Sequence, residues 1–241
     1  MTSPEAATAK APSVWEDFLD IFYAPSQVYA RRENGKFGLQ LAVITIATVI
    51  LYFATHPVLS PIYDAMAAKQ MEEVLRNNPQ LTQADLERGK SFQTIFAALA
   101  IGIATPITVL LVGIALWIVG KLFDSQATLR SGFVVATYAF VPRLLEWVLN
   151  AVQAAFMDPA SLTSLAAISL GPARFLDPSA TSPVVLTLAL RLSLFIIWST
   201  ILLAIGLKVT GKIPMSKAAL AAFIVWLLGA IPGYFQAMQM R

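Results

Sequence analysis

Apolar residues in this sequence do not alternate singly with polar ones; they run in blocks. Five blocks, at about residues 37–54, 92–123, 131–156, 183–207 and 217–235, are apolar over most of their length. Crossing a hydrocarbon core of ~30 Å takes about 20 helical residues. The pattern therefore predicts an all-α integral membrane protein, a five-helix transmembrane bundle. Residues 1–12 read as a disordered tail, 13–36 as an amphipathic segment and 37–241 as the membrane domain.

In the amphipathic segment Trp15, Phe18, Leu19 and Phe22 recur at helical spacing, with Glu16, Asp17 and Asp20 between them. Ser13 and Glu16 have the spacing of a capping box, and Ala24-Pro25-Ser26 interrupts the helix. Such a face lies at a membrane surface, recruits a partner, or packs on the protein's own spans. The first block should end near His56-Pro57, because proline disfavours helix at the residue before it. Residues 59–91 are the longest polar stretch, helical in pattern from Ile62 to Arg76 and broken at Asn77-Asn78-Pro79. Thr82 with Asp85 then marks a new helix start leading into the second block. That block is overlong for a perpendicular crossing, so it should tilt or project. Pro106 predicts a kink in it, and Ala98 with Gly102 suits close helix contact. The third block carries Pro142, Arg143 and Glu146, and the fourth carries Arg191. Between them, the apolar run Leu162 to Leu170 is too short to span and fits a re-entrant or interfacial piece. The fifth holds Gly229 and Gly233 at GxxxG spacing, weakened by Pro232.

Composition agrees with a lipid-solvated surface. Hydrophobic residues make up 57% and charged ones 13%, with mean hydropathy +0.69. The net charge of +3 fits Lys and Arg at helix ends, and no basic–aromatic run marks a nucleic-acid face. Zero cysteines and a single histidine, His56, exclude disulfides, cysteine zinc sites and a His-rich metal site. Residues 1–13 have no apolar core of a secretory signal, so membrane delivery is expected to rest on the first span. With five spans, nine Lys and Arg fall on the side of the N-terminus and six on the other. The positive-inside rule then puts the N-terminus in the cytoplasm and the C-terminus outside.

Charges inside spans are costly and take partners. Arg143 lies twelve residues past Ser131, ~18 Å along a helix, and Arg191 eight past Pro183, ~12 Å from the opposite end. In a ~30 Å core these levels coincide. Glu146 lies one turn beyond Arg143 on the same face and is placed to pair with Arg143, with Arg191, or with both. The excess positive charge suits an anionic lipid headgroup or a small anion. The plainer reading, an ion cluster locking two helices, carries more weight. His56, Asp158 and Asp177 offer weaker candidates. There is no P-loop, HExxH, GxSxG or dinucleotide fingerprint, so neither an enzyme nor a cofactor is implied.

Several segments resemble the Yip (Ypt-interacting protein) family, in its bacterial branch. Phe18-Leu-Asp-Ile-Phe-Tyr-Ala-Pro-Ser-Gln-Val-Tyr29 is similar to its F-x-x-P-x-x-V-F pattern before the first span. Ala136-Thr-Tyr-Ala-Phe-Val-Pro-Arg143 resembles its A-Y-x-x-x-P, and Phe195-Ile-Ile-Trp198 through Gly206-Leu207, followed by Lys217-Ala218, resembles its F-x-x-W span. Family members often carry an acid just before that span; here Ser193 stands there. The resemblance implies five helices, a cytoplasmic N-terminus and, for a bacterial member, the inner membrane. It links eukaryotic relatives to Rab-type GTPases and membrane shaping, and carries over no catalytic residues. Together the readings point to a scaffold or membrane organiser contacting the bilayer and a protein partner at Trp15, Phe18, Leu19 and Phe22. The alternative is a transporter or accessory subunit using Arg143, Glu146 and Arg191.

Overall fold

The computed structural model describes residues 13–77 and 83–239. Their regular structure is helical: α1 (Val14–Asp20), α2 (Pro25–Arg32), α3 (Gly38–Asn77), α4 (Gln83–Lys121), α5 (Leu129–Ala139), α6 (Val141–Ala155), α7 (Pro183–Leu190), α8 (Leu194–Gly211), α9 (Met215–Leu228) and α10 (Ile231–Gln239), with short 3-10 turns at Pro159–Ser161 and Pro172–Phe175. Five stretches are long and apolar enough to cross a membrane: Gly38–Ala68, Phe92–Lys121, Leu129–Ala155, Leu194–Gly211 and Met215–Met238. The tail before residue 13, the Asn78-Pro79 break and the Thr82 cap lie outside the described residues.

The Ser13 capping box is present, with Glu16 Oε2 accepting from the Ser13 N–H at 2.7 Å. The first span does not end at Pro57. Helix α3 runs on through Pro57 and Pro61. Proline at 61 leaves the Pro57 carbonyl without its helical donor, and the Ser60 hydroxyl donates to it at 3.3 Å. Past Pro57, Leu59 and Ile62 are buried against Ala151, Ala154, Leu162 and Ile168. That packing outweighs the local preference to stop. It also shows what the apolar run from Leu162 does: it folds back onto the bundle end.

Two crossings are interrupted, and the fourth is shorter than the sequence predicts. Pro142 divides the third at Phe140, between α5 and α6. The sequence reading of one helix over 183–207 fails, because the chain breaks at Arg191–Ser193. Ser193 caps α8, accepting from Phe195 N, and Leu194 N–H donates to the Leu170 carbonyl at 3.1 Å. Only α8 has the length of a span. The last crossing breaks at Gly229–Ala230, between α9 and α10.

Helices α4 and α5 cross at two glycines the sequence reading passed over. A Cβ on Gly132 would lie 2.7 Å from the Gly113 carbonyl oxygen, and one on Gly206 of α8 would lie 2.4 Å from a Val135 methyl. At Gly102 a Cβ would only touch Val49 at 3.4 Å. The close approach needed for packing in lipid therefore sits at 113/132. The main core gathers around it, with Leu116, Val134, Val135, Leu202, Leu207 and Ala222. Gly132→Ala should lower stability by about 1–3 kcal/mol through overpacking against backbone. Gly38→Ala, where nothing lies within 4 Å, should be neutral or better; thermal unfolding in detergent measures both.

Candidate functional site

The interruptions at Phe140, Arg191–Ser193 and Gly229–Ala230 border one cavity of ≈ 600 Å³. Its polar wall is made by Arg143, Glu146, Asn150, Arg191 and Ser193, and apolar residues such as Ile101, Leu144 and Ile196 close the rest. The three charges singled out in the sequence thus line a common space, although they do not form one ion cluster.

Arg143 Nη1 lies 2.6 Å from Glu146 Oε2, an i,i+3 pair on α6. The Ser193 hydroxyl donates to the other carboxylate oxygen. Glu146 is buried, 7% exposed, and this hydrogen bond ties α6 to the start of α8. Arg191 takes a different part. Its Nη1 donates to the Gly229 carbonyl at 2.9 Å and its Nη2 to the Trp226 carbonyl at 2.7 Å. Its guanidinium lies 5.4 Å from the Trp226 ring centre, within cation–π range. A broken helix leaves carbonyls without intrahelical donors, and Arg191 supplies donors at the α9–α10 break. So of the pairings the sequence left open, Glu146 takes Arg143, while Arg191 binds backbone.

The N-terminal face divides in two. Phe18 and Phe22 turn inward, with ring centres 5.9 Å from Tyr138 and 5.3 Å from Trp198. Trp15 and Leu19 turn outward, each 66% exposed, joined by Tyr23 at 74%. The hinge of this division is Asp17, fully buried, which the sequence reading treated only as a polar spacer. Its carboxylate accepts from Arg31 Nε at 2.6 Å, Arg32 Nε at 2.6 Å and the Tyr138 hydroxyl at 2.9 Å. Arg31 also bonds Asp20. The Tyr23 hydroxyl and Arg31 hold the Asp20 carboxyl below its usual range. That contact is therefore fully present above about pH 4 and is lost only as pH falls through the lowered value. Burial raises the Tyr29 phenol well above its usual value, so it stays neutral. Tyr138 lies nine residues past Leu129 on the helix, ~14 Å along its axis. The α1–α2 hairpin therefore leans into the side of the bundle rather than lying across its end. A buried acid with donors on α2 and α5 was signalled only by Asp17, Arg31 and Arg32 sharing a short segment.

Matching against protein families gives one domain over nearly the whole chain: the Yip1 domain, residues 19–235. The chain belongs to the Yip1 family. Neither the curated proteins nor the solved structures gave a match. The Yip1 match takes in all the helices except most of α1 and the end of α10. It also spans the Tyr138 anchor and the whole cavity.

Glu146→Gln should cost about 3 kcal/mol, the low end for a broken buried pair because Arg143 keeps part of its surface open. Asp17→Asn should cost about 3–5 kcal/mol and loosen the hairpin. Trypsin cleavage after Arg31 or Arg32 should accelerate in Asp17→Asn and stay unchanged in Glu146→Gln.

Proposed function

We propose that this Yip1-family protein is a non-enzymatic membrane organiser whose N-terminal hairpin is a wedge seated in one leaflet. Family membership supports a membrane protein of a group not known as enzymes. The observation that carries the reading is the outward stripe of Trp15, Leu19 and Tyr23 on a hairpin anchored by a buried acid. Aromatic side chains with polar tips favour the headgroup level of a bilayer, and an anchored wedge spreads lipids on one side only.

The leaflet is the cytoplasmic one. Arg130 donates to the Gly35 carbonyl at 3.1 Å, and Lys217 pairs with Asp124 at 3.0 Å. The helix ends near Lys121, Arg130, Lys212 and Lys217 therefore gather on the hairpin's side, and positive residues favour the cytoplasm. Yip-family proteins interact with Ypt/Rab proteins, and a stripe that faced water would serve recruitment instead.

The absence of cysteine makes a single nitroxide label straightforward. In reconstituted protein, a label at Leu19→Cys should relax with lipid-soluble oxygen and be shielded from a water-soluble nickel chelate. The double change Trp15→Ser with Leu19→Ser should abolish any effect on vesicle size and shape, with stability within about 0.5 kcal/mol of the parent, as for surface sites. A label open to nickel would sink the wedge and point to a protein partner.

A further inference from the structure

The cavity between α4, α6, α8 and α10 shares no residue with the hairpin's ion network, and its charge is not balanced. It holds two guanidinium groups, Arg143 and Arg191, and one carboxylate, Glu146. That carboxylate is already engaged by the Ser193 hydroxyl and by Arg143. Arg191 is met only by neutral carbonyls and an indole ring among the described residues. A buried donor remains as well: Arg191 Nε has no hydrogen-bond partner among the described residues. A buried donor without an acceptor is costly, and so is a partly buried cation with no counter-ion.

We infer that this cavity binds a phosphate oxyanion, held between Arg143 and Arg191. Planar guanidinium forks match phosphate oxygens two at a time. A single anion there would satisfy the Arg191 Nε donor and cancel the excess charge. Space allows it: ≈ 600 Å³ is within the range of ligand pockets. The lining is also mixed, with polar residues on α6 and at the α7–α8 break and apolar Ile101, Leu144 and Ile196 among them. Leu165 lines the same space and is 43% exposed. A phosphate carrying acyl chains would have an apolar exit there. The same oxyanion chemistry is available from inorganic phosphate, and the two sources separate by experiment.

The full chain is purified in neutral detergent, and its thermal unfolding is followed in two titrations. One uses phosphatidylglycerol with phosphatidylcholine as the neutral-headgroup control; the other uses inorganic phosphate with chloride as control. Native mass spectrometry counts retained lipid. The expected result is stabilisation by phosphatidylglycerol over phosphatidylcholine, with one lipid retained per chain. Arg143→Gln should weaken retention about tenfold, the effect of one charge-assisted hydrogen bond. Because an arginine change can disturb folding, Ile101→Trp provides a second variant that leaves both arginines and the ion pair in place while filling the cavity; it should weaken retention as much. Stabilisation by inorganic phosphate alone supports the oxyanion site and assigns it to a soluble ion. No stabilisation in either titration, no preference for the anionic lipid or for phosphate over their controls, or retention that survives both variants overturns the proposal. None of these outcomes depends on the wedge, whose labels and substitutions lie in α1.

Discussion

Away from water, a polar group must be satisfied by the protein itself, and that constraint places the informative side chains of this bundle. Each interruption of a spanning helix exposes backbone carbonyls and amides that lipid cannot serve. At the α9–α10 break, Arg191 donates to the carbonyls of Trp226 and Gly229. At the start of α8, Ser193 takes the cap and Leu170 accepts from Leu194. In α3, the Ser60 hydroxyl donates to the carbonyl that Pro61 deprives of its donor. Broken helices are thus affordable where a side chain or a folded-back loop replaces the missing bond.

The three sequence segments that resemble the Yip pattern meet in space, which accounts physically for their co-occurrence. Phe22, from the first, packs edge-on against Trp198, from the third. Tyr138, in the second, carries both the Phe18 contact and the Asp17 hydrogen bond. Val135 of α5 fills the space left by Gly206 of α8. The hairpin, α5 and α8 therefore form one packed unit, with Val28 and Tyr29 fully buried. Ser193 stands just before the third segment. Its hydroxyl donates to Glu146, so a carboxylate reaches the same place from α6.

Hydrophobic blocks and their count could be read from the sequence because spanning helices are governed by length and apolarity, both local properties. The Ser13–Glu16 cap was readable for the same reason. Where the reading failed, a distant contact decided. Pro57 does not end α3, because Leu59 and Ile62 gain burial against α6 and the loop after it. Residues 183–207 are not one helix, because Leu170 and Glu146 hold the chain open at Ser193. Depth arithmetic brought Arg143, Glu146 and Arg191 to one level, and they do line one cavity. It could not tell that Arg191 would bind carbonyls, since carbonyls freed by a break are invisible until the break is known. Asp17 was missed because amphipathic periodicity assigns an acid to the wet face; its donors come from α2 and from Tyr138 far along the chain.

Charge balance separates the two polar clusters. Around Asp17 the ion pairs set Asp17 and Asp20 against Arg31 and Arg32, equal in number among the described residues. That balance lets the hairpin lean into the bundle with Trp15, Leu19 and Tyr23 turned outward. Around the cavity, among the described residues, Arg143 and Arg191 face Glu146 alone, and the Arg191 Nε donor is left over. Arg143 pairs Glu146 and Arg191 serves freed carbonyls, yet together they leave the space one positive charge in excess. Their presence beside an open space is understandable if the space is filled by something that brings the missing negative charge.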